Sequence, residues 1–186
     1  MGDVMQHLNR IVAAGLSVVM FSLPLGAQEN RLDDFFAQLS GSDPVETRRV
    51  AAEIELEFSR SGSPAMDLLL RRGEDALEVG DMAMAVEHLS AAIDHAPDFA
   101  EAWHLRSIAF FRQERFGLAL NDIEHVLALE PRHFNALYGL GVLFDKMDQP
   151  DLAREALMRA QAIHPHHEEI GTTLERVSRK LGGATL

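Results

Sequence analysis

Residues 98–131 read DFAEAWHLRSIAFFRQERFGLALNDIEHVLALEP and residues 132–165 read RHFNALYGLGVLFDKMDQPDLAREALMRAQAIHP. Each ends on a proline, and Pro97, Pro131 and Pro165 are evenly spaced. Their period of ~34 residues is the length of one helix-turn-helix repeat unit. The register holds from Met66 to Pro165. Small residues recur at Gly73, Ser107 and Gly141, at Ala85, Ala119 and Ala153, and at Ala92, Val126 and Ala160. Large apolar residues recur at Leu69, Trp103 and Leu137, and at Leu89, Ile123 and Leu157. A fixed period with small and large places alternating at helical spacing marks a stack of such repeats, in which small residues let paired helices approach closely.

The same register predicts helix pairs over 65–79 with 82–95, 98–113 with 116–129, and 132–147 with 150–163. Gly80-Asp81, Glu114-Arg115 and Gln149-Pro150 are the turns within the pairs. Turns this short make neighbouring helices antiparallel. Each proline falls just past a helix end, where a missing N–H does no harm.

On these residues the chain resembles the tetratricopeptide repeat family. That family's motif has a Trp, a Leu-Gly pair and a Tyr at set places. Here the Trp place holds Leu69, Trp103 and Leu137; the Leu-Gly place holds Arg72-Gly73, Arg106-Ser107 and Leu140-Gly141; the Tyr place holds Ala76, Phe110 and Phe144. The resemblance implies an all-α fold, a right-handed superhelical stack of antiparallel helix pairs, with repeats at 66–99, 100–133 and 134–167. It also implies a concave face that binds a partner polypeptide. Some members grip a C-terminal carboxylate with Lys and Asn there. In this chain only Asn135, Lys146, Arg71 and Arg112 could be proposed, interleaved with Asp67, Glu74, Glu78 and Glu101, and that clamp is not carried over.

Outside the repeats, Ile11 to Leu23 is an apolar run after Arg10, and Pro24-Leu25-Gly26-Ala27 supplies small residues before Gln28. This pattern predicts an export signal over residues 1–27, with an uncleaved N-terminal anchor as the alternative. A periplasmic location follows as an expectation. Residues 31–61 are expected to form N-terminal capping helices. One is a short amphipathic segment with Leu32, Phe35, Phe36 and Leu39 in phase. The other runs to about Arg60, with Asp43 as N-cap, Pro44 first, and Val50, Ile54 and Phe58 on one stripe. That helix is expected to cover the first repeat, since the end units of a stack need a polar outer face. Residues 168–181 are expected to form the C-terminal capping helix, with Ile170, Leu174, Val177 and Leu181 apolar.

Composition narrows the function classes. The 186 residues are 47% hydrophobic and 25% charged with a net charge of -12, which fits a globular chain and argues against a nucleic-acid partner. There is no cysteine, so disulfides, thiolate chemistry and Cys-type zinc sites are excluded. The sequence holds no phosphate-binding glycine loop, no His-Glu-x-x-His helix and no Gly-x-Ser-x-Gly elbow. No catalytic residue and no cofactor is therefore assigned. The one dense titratable cluster is His164-Pro165-His166-His167-Glu168-Glu169. Its side chains are competent for zinc or copper, but it lies at the last inter-helix turn, where such residues also suit a helix start. A His-rich metal-binding protein is kept as a minor alternative and no metal ligand is assigned. His88, His95, His125 and His133 are expected at the surface.

With the buried stripe fixed, the opposite positions of each first helix must line the inner face. They are Asp67, Arg71, Glu74 and Glu78, then Glu101, Leu105, Ile108 and Arg112, then Asn135, Gly139, Val142 and Lys146, with His104, Phe111 and Tyr138 at its edges. The face turns from charged to apolar along the stack. Leu105, Ile108, Phe111, Arg112, Tyr138, Val142, His104 and Asn135 are the expected partner-binding residues, the alternative being that they pack on neighbouring helices. The expected function is a non-catalytic protein-interaction module of the cell envelope. The alternative is a self-associating structural or assembly factor whose strip takes the N-terminal segment of a second copy.

Overall fold

A computed structural model describes residues 25–41 and 43–183 of the chain. The described residues form nine helices and no strand: α1 (Leu25–Gly41), α2 (Pro44–Phe58), α3 (Pro64–Glu78), α4 (Met82–His95), α5 (Ala100–Arg112), α6 (Phe116–Leu129), α7 (Phe134–Lys146), α8 (Pro150–Ile163) and α9 (Glu168–Gly183). The leader expected over residues 1–27 lies outside the described residues as far as residue 24, and residues 25–27 open α1. None of the described helices is long and apolar enough to cross a membrane.

Three antiparallel pairs, α3–α4, α5–α6 and α7–α8, stack in order, and α9 packs on α8 and α7. The small residues act as the period required. A Cβ added at Gly73 would lie 2.5 Å from Leu89 Cγ, and one at Gly141 would lie 2.5 Å from Leu157 Cγ and 3.2 Å from the Ala153 carbonyl. The leucine of the second helix thus occupies the space vacated by the first helix's side chain, and Leu89 and Leu157 are fully buried.

The turns repeat in hydrogen-bonding detail. Gly80, Glu114 and Asp148, at the same place in successive repeats, all have positive φ. The next amide reaches back to close the helix: Asp81 N–H to Ala76, Arg115 N–H to Phe110, Gln149 N–H to Phe144. This is the left-handed C-terminal stop that glycine favours. Glu114 and Asp148 adopt it without that freedom. Trp103 Nε1–H donates to the Pro97 carbonyl at 2.9 Å, and its ring stacks on His125 at 4.2 Å, tying the inter-repeat turn to α6.

The α1–α2 pair sits differently from the expected cap. Phe36 and Leu39 of α1 and Val50, Ala51 and Ile54 of α2 form one buried cluster with Phe134, and Ile163 packs against it. Both Phe134 and Ile163 belong to the third repeat. Along α2, Glu55 accepts from Asn135 Nδ2 at 2.9 Å and Phe58 stacks on His133 at 4.4 Å; beyond its end, Ser61 bonds Asp67 of α3. The helix therefore lies along the N-terminal end of α7, in the third repeat, and does not cover the first. Arg132 pairs with Asp33 and lies 4.3 Å from the centre of the Phe36 ring, fixing α1 beside it. The apolar stripe of α2 is legible as something to bury; its partner is the third repeat because Phe134 is there to receive it.

Candidate groove for a partner chain

The first helices α3, α5 and α7 form the inner face, α9 continues it, and α2 borders one edge. Between α5, α7 and α9 lies a cavity of about 320 Å³ lined by His104, Ser107, Ile108, Phe111, Ile123, Asn135, Tyr138, Gly139, Val142, His167 and Glu169. Six of the eight residues expected to bind a partner are brought together there: His104, Ile108, Phe111, Asn135, Tyr138 and Val142. Ile108, Phe111, Tyr138 and Val142 remain partly exposed.

Leu105 and Arg112 do not line it. Leu105 packs against the core joining the first two repeats. Arg112 Nη1 donates to the Leu77 carbonyl at 2.8 Å, satisfying the end of α3. Facing inward on one helix is not enough, because the preceding first helix approaches closely enough to engage both. Ile123, His167 and Glu169 also line the cavity. For the last two a signal exists: they are His133 and Asn135 carried on by one repeat, which extends the inner face into α9.

The edge under α2 is a histidine cluster. His133, expected at the surface, is fully buried as the N-cap of α7. Its Nδ1 accepts from the Ala136 N–H at 3.2 Å, so its Nε2–H donates to Glu101 Oε2 at 2.9 Å. His104 is buried at 7% exposure, its ring 4.7 Å from that of His133, and its Nδ1 has no hydrogen-bond partner among the described residues. Burial pushes the His104 pKa down, Glu101 pulls it back in part, His133 lowers it further, and it comes to about 4. The Glu101 carboxyl is raised by burial but pulled below its usual range by His104 and by the hydrogen bond from His133.

A pH dependence of stability follows. His104 is held neutral in the fold but takes a proton near pH 6.5 when unfolded, so its stabilisation is whole above 6.5 and is lost as pH falls towards 4. Between pH 7 and pH 5 the loss from this residue should be about 2 kcal/mol. The first repeat carries Leu70 at the equivalent place, fully buried. His104→Leu should keep the fold and reduce the acid-induced drop in the urea midpoint; an unchanged drop would show that His104 is not its source.

In the His164 to Glu169 cluster the helix start repeats the arrangement at His133. His164 is buried edge-on to Phe134 at 5.1 Å, and His167 Nδ1 accepts from the Ile170 N–H at 3.4 Å, as His133 does one repeat earlier. Among the described residues no three His, Asp or Glu side chains converge in a way that could hold a metal ion.

A stack of evenly spaced helix pairs with an apolar concave groove defines a class of helical-repeat protein, and sequence comparison gives the family. The tetratricopeptide repeat model matches residues 70–124 and 104–168, together more than half of the chain. A TPR repeat-containing protein of Rhizobium etli is 34% identical over 156 residues, covering 83% of this chain and 76% of its own length. The chain belongs to the tetratricopeptide repeat family. Among solved structures it is similar to the first TPR domain of Spaghetti (RPAP3) bound to the HSP90 peptide SRMEEVD, at a TM-score of 0.63 and 21% identity, covering 64% of this chain and 98% of that one. It is also similar to MamA, at a TM-score of 0.60 and 21% identity over 85% of each chain. At those identities the likeness is one of fold.

Proposed function

We propose that this chain is a non-catalytic protein-interaction module of the cell envelope that holds a partner polypeptide in the groove over α5 and α7. The observation that carries the reading is the cavity itself. Ile108, Phe111, Tyr138 and Val142 keep part of their apolar surface uncovered around one concavity, where a partner side chain would be removed from water. The Spaghetti domain, solved with its HSP90 peptide, supports a polypeptide as the ligand class. The envelope location rests on the leader pattern of residues 1–27.

Val142→Glu places a charge in the cavity at a residue that belongs to none of the buried clusters, so the fold should be retained. Crosslinked pull-down from the native envelope should recover a polypeptide with the wild type and lose it, or at least about tenfold of it, with Val142→Glu. Equal recovery by both would overturn the groove. Mass spectrometry of the native chain should find an N-terminus near Gln28; recovery of the intact chain from the cytosol would overturn the location.

A further inference from the structure

The repeat aligns Glu74, Ile108 and Val142 at the same position of α3, α5 and α7, one row across the inner face. Two members of that row line the cavity; the third is a carboxylate. Glu74 is half-buried and makes no hydrogen bond or ion pair among the described residues. Burial raises its pKa, and Glu101, Asp75 and Glu78 raise it further against a smaller opposing effect of Arg71. Arg112, one repeat on at the same face, is already engaged by the Leu77 carbonyl, and Arg176 and Lys180 hold Asp145 and Asp148. Lys146 lies at the far end of α7, two repeats from Glu74 in the register.

We propose that the groove takes an extended segment that sets an apolar side chain between Ile108 and Val142 and a lysine or arginine against Glu74. This rests on the groove reading and adds the chemistry of the occupant. Neighbouring packed helices lie about 8–10 Å apart and an extended chain rises about 3.3 Å per residue; Glu74 lies about one and a half such spacings from a point between Ile108 and Val142, so the cation stands about four residues from the apolar anchor. An acidic peptide such as SRMEEVD would instead bring carboxylates towards Glu74, in a chain whose net charge is already -12.

The test is a random peptide library displayed on phage, panned against the full chain, with enriched peptides measured on four variants. Val142→Glu tests the groove. Glu74→Lys and the milder Glu74→Gln test the cation site. Glu155→Lys, exposed on α8, makes the same change in net charge as Glu74→Lys, away from the row. Enriched peptides should carry Lys or Arg about four residues from an apolar residue, lose about fivefold or more in affinity on Glu74→Lys, and be unchanged on Glu155→Lys. Enriched neutral or acidic peptides, or basic ones weakened equally by Glu155→Lys, overturn the inference; the groove stands if those peptides are still lost on Val142→Glu. Peptides indifferent to Val142→Glu, or no enrichment, overturn both.

Discussion

Replacing Phe134 with alanine is expected to destabilise the chain by about 3–5 kcal/mol and to free α1 and α2 from the stack. Phe134 is fully buried at the start of α7, in the cluster formed by Phe36, Leu39, Val50, Ala51 and Ile54, with Phe35, Phe58 and Ile163 at its border and the centre of the His164 ring 5.1 Å from its own. Helices α7 and α8 are fixed by their own pairing, so the space left by the ring cannot close by their movement, and the loss falls at the upper end for an aromatic truncation. The equivalent positions of the neighbouring units are Ala100 and Glu168, so this aromatic is specific to the third repeat. Urea unfolding followed by circular dichroism gives the stability loss. Trypsin should then cut faster after Arg48, Arg49 and Arg60 than in the wild type, leaving a repeat fragment that begins at Ser61. Normal resistance at those arginines, despite a loss of stability, would mean that α1 and α2 are held elsewhere.

The seat of α2 lies beyond what the sequence alone discloses. Proline, small-residue and turn positions recur at one constant spacing because each repeat solves the same local problem, so helices α4, α6 and α8 fall where the register predicts them. The seat of α2 has no such repetition. Its stripe of Val50, Ile54 and Phe58 shows that a face is buried, while the partner is set by departures from the repeat: Phe134 where others have Ala100 or Glu168, and His133 where the second repeat has Phe99. Those departures are visible in the sequence but carry no direction, so nothing there marks His133 as buried. The groove is legible as far as helical phase reaches. Phase orders residues around one helix and says nothing of how near the next first helix comes, which is why Leu105 and Arg112 share a phase with residues that do face the cavity and yet do not line it.

Arg106 is a second departure, and the largest polar effect in the fold is expected there. The family's Leu-Gly place holds Arg106-Ser107, and the guanidinium is spent inside the stack. Its Nε and Nη2 donate to the two oxygens of Asp122 at 2.8 and 2.9 Å, Nη1 donates to Ser90 at 2.9 Å, and the plane lies 4.8 Å from the Trp103 ring centre. Asp122 is 2% exposed and Arg106 15%, so salt screens the pair little. One side chain thus joins α4, α5 and α6. Arg106→Leu alone should cost about 3–5 kcal/mol, because Asp122 is left charged and buried without its partner. The third repeat shows what the same geometry accepts without ions: Leu140 and Ala156 stand at the equivalent places, and Ala156 is buried. Arg106→Leu with Asp122→Ala should therefore be much more stable than Arg106→Leu alone, since an apolar replacement removes the desolvation of both charges. Urea unfolding of the wild type, the two single variants and the double variant should give a coupling of about 1–3 kcal/mol. Additive losses would mean that the two charges do not depend on one another, and that Ser90 and the Trp103 face hold Arg106 without Asp122.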